Sequence, residues 1–125
     1  MNGVAQVLAV LVGVTLVVMF VLEVFFHGRR ALYPIFLIRP ADVPAVRMWA
    51  VNVGCYNLCY GIGALVGVAM LQWGDVDVGR ALVLFTCASH VFLGLVLFLS
   101  ERRLWLSALG ESLPALAVVV LALAA

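Results

Sequence analysis

The chain has little charge and no lysine. Of its 125 residues 10% are charged, and all seven basic residues are arginines. A soluble domain of this size has about a quarter of its residues charged, so the composition excludes an ordinary water-soluble fold. The sequence has no dense basic tract for nucleic acid, and the net charge of +1 points to no partner.

Cysteine is also scarce. Cys55, Cys59 and Cys87 all lie in apolar stretches, and an odd number argues against a disulfide framework. The spacings Cys55–Cys59 and Cys87–His90 of one helical turn would suit copper(I) or zinc. However, Cys55 lies about 60° around a helix from the polar position Asn52, and no repeated Met or Cys pair accompanies these residues. We predict no metal and no cofactor, and the sequence contains no nucleophile elbow, phosphate loop or zinc-protease motif.

Apolar residues dominate the chain. Hydrophobic residues make up 67% of it, and the mean hydropathy is +1.27. A crossing helix needs about 20 mainly apolar residues, and four windows meet this requirement: 3–26, 48–73, 81–100 and 104–125. In lipid the backbone N–H and C=O groups must bond to each other, and a helix achieves this within a single segment. The sequence predicts one all-α domain over residues 1–125, an integral membrane bundle of four transmembrane helices. The first apolar stretch is too long for the hydrophobic region of a signal peptide, so we expect it to be a retained span.

Arginine distribution predicts the orientation in a cell membrane. Six arginines lie in the first and third connections, and Arg80 alone lies near the second: the six are Arg29, Arg30, Arg39, Arg47, Arg102 and Arg103. The positive-inside rule then places these two loops in the cytoplasm and both termini outside. Trp49, Trp73 and Trp105 stand at span ends, as interfacial aromatics do. The long loop 27–47 has a short apolar patch that we expect at the interface.

Three ionisable residues fall inside or at the edge of the spans: Glu23, His90 and Glu111. A charge in hydrocarbon costs at least about 2.5 kcal/mol, so such residues usually face the bundle interior and carry a function. Asn52 and Asn57 join them in the cytoplasmic half of the membrane, whereas the other half is nearly bare of polar groups.

Helical phase groups these residues. On the second span one stripe comprises Asn52, Tyr56, Cys59 and Gly63, and another comprises Gly54, Asn57 and Gly61. The third span aligns Thr86, His90 and Gly94, and the fourth aligns Glu111 with Ala108, Ala115 and Ala122. Small residues on such a face permit close helix approach.

The first functional hypothesis is an acid–base pocket that binds or converts a small hydrophobic molecule. We assign Glu111 as proton donor or acceptor and His90 as its partner, with Glu23 and His27 at the cytoplasmic mouth. Asn52, Tyr56 and Asn57 would orient a polar group of the substrate. These residues could support isomerisation, cyclisation or hydration, and the sequence does not indicate which of the three reactions takes place.

Two alternatives remain open. A proton-coupled exporter resembling the small multidrug resistance transporters would use a membrane carboxylate, although Glu23 lies near the end of its span. A non-catalytic assembly subunit would use the same polar residues to fix helix pairing, with the asparagines as interhelical hydrogen-bond partners. A homodimer is compatible with all three hypotheses.

Three short motifs resemble a known family. Asn52-Val53-Gly54-Cys55-Tyr56-Asn57 is similar to the Asn-Gln-Gly-x-Tyr-Asn signature of a bacterial and fungal family of small four-helix membrane proteins, domain of unknown function 1304. Leu22-Glu23-Val24-Phe25 and Glu111-Ser112-Leu113-Pro114-Ala115-Leu116 resemble its Leu-Glu-Met-Phe and Gln-x-x-Pro-Ala-Leu stretches. The resemblance implies the four-helix fold and singles out Glu23, Asn52, Tyr56, Asn57 and the Pro114 region. It implies no activity.

The chain departs from the family pattern at polar positions. Leu16 stands where the family usually carries a His, Val53 replaces the Gln of the signature, and Glu111 replaces the Gln of the last motif. His90 corresponds to no family motif.

Overall fold

A computed structural model describes residues 1–124 of the chain. The helices are α1 (Gly3–Phe25), a single turn α2 (Tyr33–Phe36), α3 (Val43–Trp73), α4 (Val76–Ser100) and α5 (Trp105–Ala124). Short 3-10 turns cover Arg30–Leu32, Pro40–Asp42 and Arg102–Leu104. Within residues 1–124, four of these elements are long and apolar enough to cross a membrane. The predicted all-α bundle with four membrane-spanning helices is confirmed.

Local signals set the helix starts. The Asn2 side chain accepts a hydrogen bond from the Ala5 backbone N–H at 2.8 Å and so caps α1. Asp75 caps α4 by accepting from the N–H groups of Asp77 and Val78. Helices α3 and α4 begin at Val43 and Val76, before the predicted windows starting at 48 and 81, because hydropathy marks only the apolar part of a helix. The start of α3 has no side-chain cap but carries a proline, Pro44, in its first turn.

The first connection folds over the end of the bundle. Its single turn α2 ends at Leu37, whose φ of 54° lies in the left-handed region. The Leu37 N–H bonds the carbonyl oxygen of Tyr33 at 2.7 Å and closes this turn. The reversal brings Phe36 and Ile38 back towards α3, where they line a cavity with Trp49.

Helices adjacent in sequence pack side by side, and α1 closes the ring against α5. The core between them is built from small and β-branched side chains of α1, α4 and α5, with Leu16 as its largest aliphatic member: Ala9, Val12, Leu16, Val83, Cys87, Ala115 and Val118. Such side chains let helix backbones approach closely, which favours association where lipid offers no hydrophobic driving force.

Two glycine pairs mark close approaches between helices. A Cβ placed on Gly61 of α3 would lie 2.8 Å from the carbonyl oxygen of Gly13 on α1. A Cβ on Gly79 of α4 would lie 2.6 Å from the carbonyl oxygen of Gly67 on α3. The absence of side chains at these crossings therefore fixes the α1–α3 and α3–α4 spacings.

The end of the bundle that holds both termini has its own polar contacts. The side-chain amide of Gln72 donates to the side-chain oxygen of Gln6, which joins α3 to α1. Arg80 donates to the carbonyl oxygen of Ala122 at 2.9 Å and so satisfies a terminal carbonyl of α5. These contacts lie at the rim, and the middle of the bundle on this side is apolar.

Candidate functional site

Glu23 and Asn57 meet between α1 and α3. Glu23 is only 8% exposed, and the side-chain amide of Asn57 donates a hydrogen bond to its carboxyl group. Gly54, one turn before Asn57, makes this approach possible, since a Cβ there would lie 2.8 Å from the Val24 side chain and 3.2 Å from Glu23 Cβ. The inner stripe of α3 predicted from the sequence thus carries the partner of the α1 carboxyl group.

His27 lies one turn beyond Glu23, just after α1 ends. Its side chain is buried, with 8% exposed, and neither ring nitrogen has a hydrogen-bond partner within residues 1–124. Leaving a buried polar group unpaired costs about 1–3 kcal/mol. Such a group needs a partner from outside the chain, which makes His27 the most informative side chain in this region.

A cavity of about 170 Å³ lies beside Glu23 and His27. Its other walls are apolar and come from the first connection and from α3: Phe36, Ile38, Val46, Trp49, Ala50 and Val53. We call this the acid–base cavity. The sequence placed Glu23 and His27 at a mouth, but it gave no sign that the loop 27–47 would build the opposite wall.

A second cavity of about 280 Å³ adjoins the first. It is lined by Gly28, Arg30, Tyr33, Ile38 and Pro40. We call it the arginine cavity. Ile38 belongs to both linings, so the two spaces lie next to each other.

Glu111 lies on α5, partly buried. Glu111 makes no side-chain hydrogen bond within the described chain. Its helix packs against α1, the helix of Glu23.

His90 forms a separate polar group. Its side chain is 1% exposed, and its Nδ1 lies 2.9 Å from the Thr86 carbonyl oxygen. The Tyr60 ring packs edge-on against the imidazole at 5.1 Å between ring centroids. His90 Nε2 has no hydrogen-bond partner within residues 1–124, and the pairing of His90 with Glu111 stays a prediction.

Asn52 and Tyr56 lie on the outer face of α3. The Asn52 amide donates to the carbonyl oxygen of Met48 in its own helix at 2.8 Å, and the Tyr56 side chain is 64% exposed. Of the three residues predicted to orient a substrate, only Asn57 lies beside Glu23. The two α3 stripes seen in the sequence point to different sides of the helix.

A comparison with models of known protein families identifies the family of this chain. The model of a family described as "Protein of unknown function (DUF1304)" matches residues 10–123. The chain belongs to the DUF1304 family. No curated protein and no solved structure gives a match. The three motifs that suggested DUF1304 all lie within the matched range, and the family assigns no activity to the cavity.

Proposed function

We propose that this protein binds a small lipophilic molecule in the acid–base cavity, where Glu23 and His27 contact its polar group. The observation that carries the proposal is the buried imidazole of His27, whose two ring nitrogens lack partners within residues 1–124 while the side chain lines a cavity. A ligand with one hydrogen-bonding group would supply the missing partner.

The cavity lining indicates the character of the ligand. Apart from Glu23 and His27, the lining side chains are apolar, as in most sites for small molecules. Trp49 stands at the rim with 64% of its surface exposed. Because the surrounding helices are built to lie in lipid, a hydrophobic molecule would reach the cavity from the bilayer.

The two polar groups have complementary chemistry. A neutral imidazole donates through one ring nitrogen and accepts through the other, and the hydrogen bond from Asn57 holds the Glu23 carboxyl group in place. Such a pair can move a proton to and from a bound molecule. Isomerisation, cyclisation or hydration of the ligand would use this step, with Glu111 as a second carboxyl group nearby. A role for His90 stays a prediction.

The predicted orientation puts the cavity at the cytoplasmic side of the membrane. The two connections at this end carry six of the seven arginines, which supports cytoplasmic loops and external termini. Proton-coupled export would draw on the same carboxyl groups, and it stays a prediction from the sequence.

Assembly is the second candidate function, because the outer face of α3 presents polar groups to the surroundings. Asn52, Tyr56 and the exposed thiols of Cys55 and Cys59 share this face. Side chains such as Asn hydrogen-bond across helices in membranes. A homodimer through this face would lie next to the acid–base cavity, since Trp49 and Val53 in the cavity lining are one helical turn from Asn52 and Tyr56, respectively.

Filling the cavity tests the binding proposal. Ala50 lines the acid–base cavity, so Ala50→Phe should exclude the ligand. Ala88 is an exposed alanine on α4, and Ala88→Phe is the matched control. The protein would be purified in lipid nanodiscs, extracted with organic solvent and examined by mass spectrometry for co-purified molecules.

The expected result is a lipophilic molecule retained by the wild type and by Ala88→Phe and lost from Ala50→Phe. Retention of the same molecule by Ala50→Phe would place its binding elsewhere. If the wild type retains no more than empty nanodiscs, the binding proposal fails for endogenous ligands.

A further inference from the structure

We infer that the ligand is an amphiphile with an anionic, phosphate-type head group. The head group binds in the arginine cavity, and the mainly apolar remainder lies in the acid–base cavity, where it carries the polar group that contacts Glu23 and His27. This inference rests on the proposed function and names the chemical class of the molecule. Its basis is the placement of two unlike cavities side by side.

The two cavities share Ile38 and differ in what surrounds them. The acid–base cavity is walled by Phe36, Trp49 and aliphatic side chains. The arginine cavity has the Arg30 side chain and Tyr33 in its lining. A molecule that spans both spaces must therefore be apolar at one end and polar at the other.

Arg30 provides the anion-binding group. Within residues 1–124 the ion pairs are Arg39 with Asp42 and Arg103 with Glu101, so Arg30 has no carboxylate partner there. A guanidinium group presents several N–H donors in a planar fork that matches phosphate oxygens.

The wider charge distribution favours an anion at this end of the bundle. Its two connections hold six arginines against the carboxylates Asp42 and Glu101, whereas the opposite end has one arginine, Arg80, and two carboxylates, Asp75 and Asp77. Clefts lined by one sign of charge concentrate ligands of the opposite sign. A cationic amphiphile would meet repulsion here, although it could approach Glu23.

A free phosphate ion has the same head-group chemistry as a phosphorylated lipid. The distinction between them comes from the acid–base cavity, whose mainly apolar lining offers contact area to a hydrocarbon tail but not to a phosphate ion. We therefore expect the tail to contribute to affinity.

Trp49 reports on the occupancy of the acid–base cavity. In the Trp73→Phe, Trp105→Phe background it is the remaining tryptophan. This protein, in nanodiscs of zwitterionic lipid, would be titrated with dodecyl phosphate, dodecanol, dodecyltrimethylammonium and inorganic phosphate while Trp49 emission is recorded. Ala50→Phe measures the change caused by partition into lipid alone.

A comparison of Arg30→Gln with Arg29→Gln distinguishes binding by the cavity from general attraction to the positive surface. The two neighbouring residues are both exposed, and each substitution removes one charge, but only Arg30 lines the cavity. Loss of a charge-assisted hydrogen bond should weaken dodecyl phosphate binding about tenfold or more in Arg30→Gln. Arg29→Gln should bind nearly as the wild type does.

The possible outcomes discriminate between the two claims. Preference for dodecyl phosphate that is lost in Arg30→Gln supports the inference. Equal binding of all three dodecyl compounds would contradict the anionic head group but would still support binding of a lipophilic molecule in the acid–base cavity. Equal effects of inorganic phosphate and dodecyl phosphate, or of Arg29→Gln and Arg30→Gln, also overturn it. If no amphiphile changes Trp49 emission beyond the Ala50→Phe level, the proposed function fails as well.

Discussion

Asn57 on α3 donates a hydrogen bond to the carboxyl group of Glu23 on α1, and Glu23 lines the acid–base cavity. Asn52, on the same helix, bonds only the carbonyl oxygen of Met48 in the preceding turn. Two asparagines five positions apart in the chain thus differ in kind, since one joins two helices and the other stays within its own helix.

The first prediction compares these two asparagines. Asn57→Ala leaves the buried Glu23 carboxyl group without its partner and should lower the free energy of unfolding by about 1–2 kcal/mol. Asn52→Ala should change it by less than about 0.5 kcal/mol. Unfolding followed by circular dichroism in detergent micelles measures both, and equal losses would contradict the cross-helix role of Asn57.

The second prediction concerns the α1–α3 crossing. Gly61→Ala would place a Cβ 2.8 Å from the Gly13 carbonyl oxygen, and because that atom belongs to the backbone, the helices must separate. We expect a loss of about 1–3 kcal/mol in stability. Gly110 of α5 has nothing within 4 Å of an added Cβ, so Gly110→Ala should be neutral or stabilising by up to about 1 kcal/mol.

The same unfolding assay tests this pair of variants. A Gly61→Ala protein as stable as the wild type would show that the α1–α3 contact adjusts without cost. A Gly110→Ala protein that is strongly destabilised would show that the outer surface of α5 is covered.

The sequence predicted the four helices and both stripes of α3, because apolar length and helical period follow directly from residue order. It did not predict which stripe faces inward. Gly54, Asn57 and Gly61 face α1 because glycine permits the close approach, whereas the bulkier Tyr56 remains outside. The inward face depends on the rotation of the helix about its axis. A helix that is apolar on all sides has no sequence pattern that indicates this rotation.

The acid–base cavity was harder to predict from the sequence than the helices were. The four-residue spacing of Glu23 and His27 indicated a shared face, but the wall opposite them comes from Phe36 and Ile38 of the first connection. The reversal at Leu37, with φ of 54°, folds this segment back. A left-handed leucine carries no signal in the sequence, since that region usually favours glycine.

The third prediction concerns the turn between α4 and α5. The Glu101 carboxyl group accepts hydrogen bonds from the Arg103 guanidinium group at 2.8 and 2.9 Å, and these bonds lower the pKa of Glu101 from 4.5 to about 2. The stabilising contribution is therefore present above pH 4.5 and is lost as the pH falls through about 2. Carboxyl titration by NMR should show this low pKa in the wild type and a higher pKa in Arg103→Gln. An ordinary pKa in the wild type would contradict the contact.

The last prediction tests the homodimer through the outer face of α3. Cys55 and Cys59 are exposed there, while Cys87 is buried in the bundle. If two copies pack through this face, mild oxidation in membranes should produce a disulfide-linked dimer. Cys87→Ala should cross-link as the wild type does, and the Cys55→Ala, Cys59→Ala double variant should remain monomeric on a non-reducing gel.

The cross-linking result also decides the role of the polar side chains on that face. Adding Asn52→Ala and Tyr56→Phe should weaken the dimer if those groups hydrogen-bond across the interface, since lipid tails offer them no partner. Cross-linking that depends on protein density in the membrane but not on Asn52 or Tyr56 would reveal random collision. A monomer under all conditions would show that this face contacts lipid and would remove the basis for an assembly function, while the acid–base cavity would still be open to a ligand.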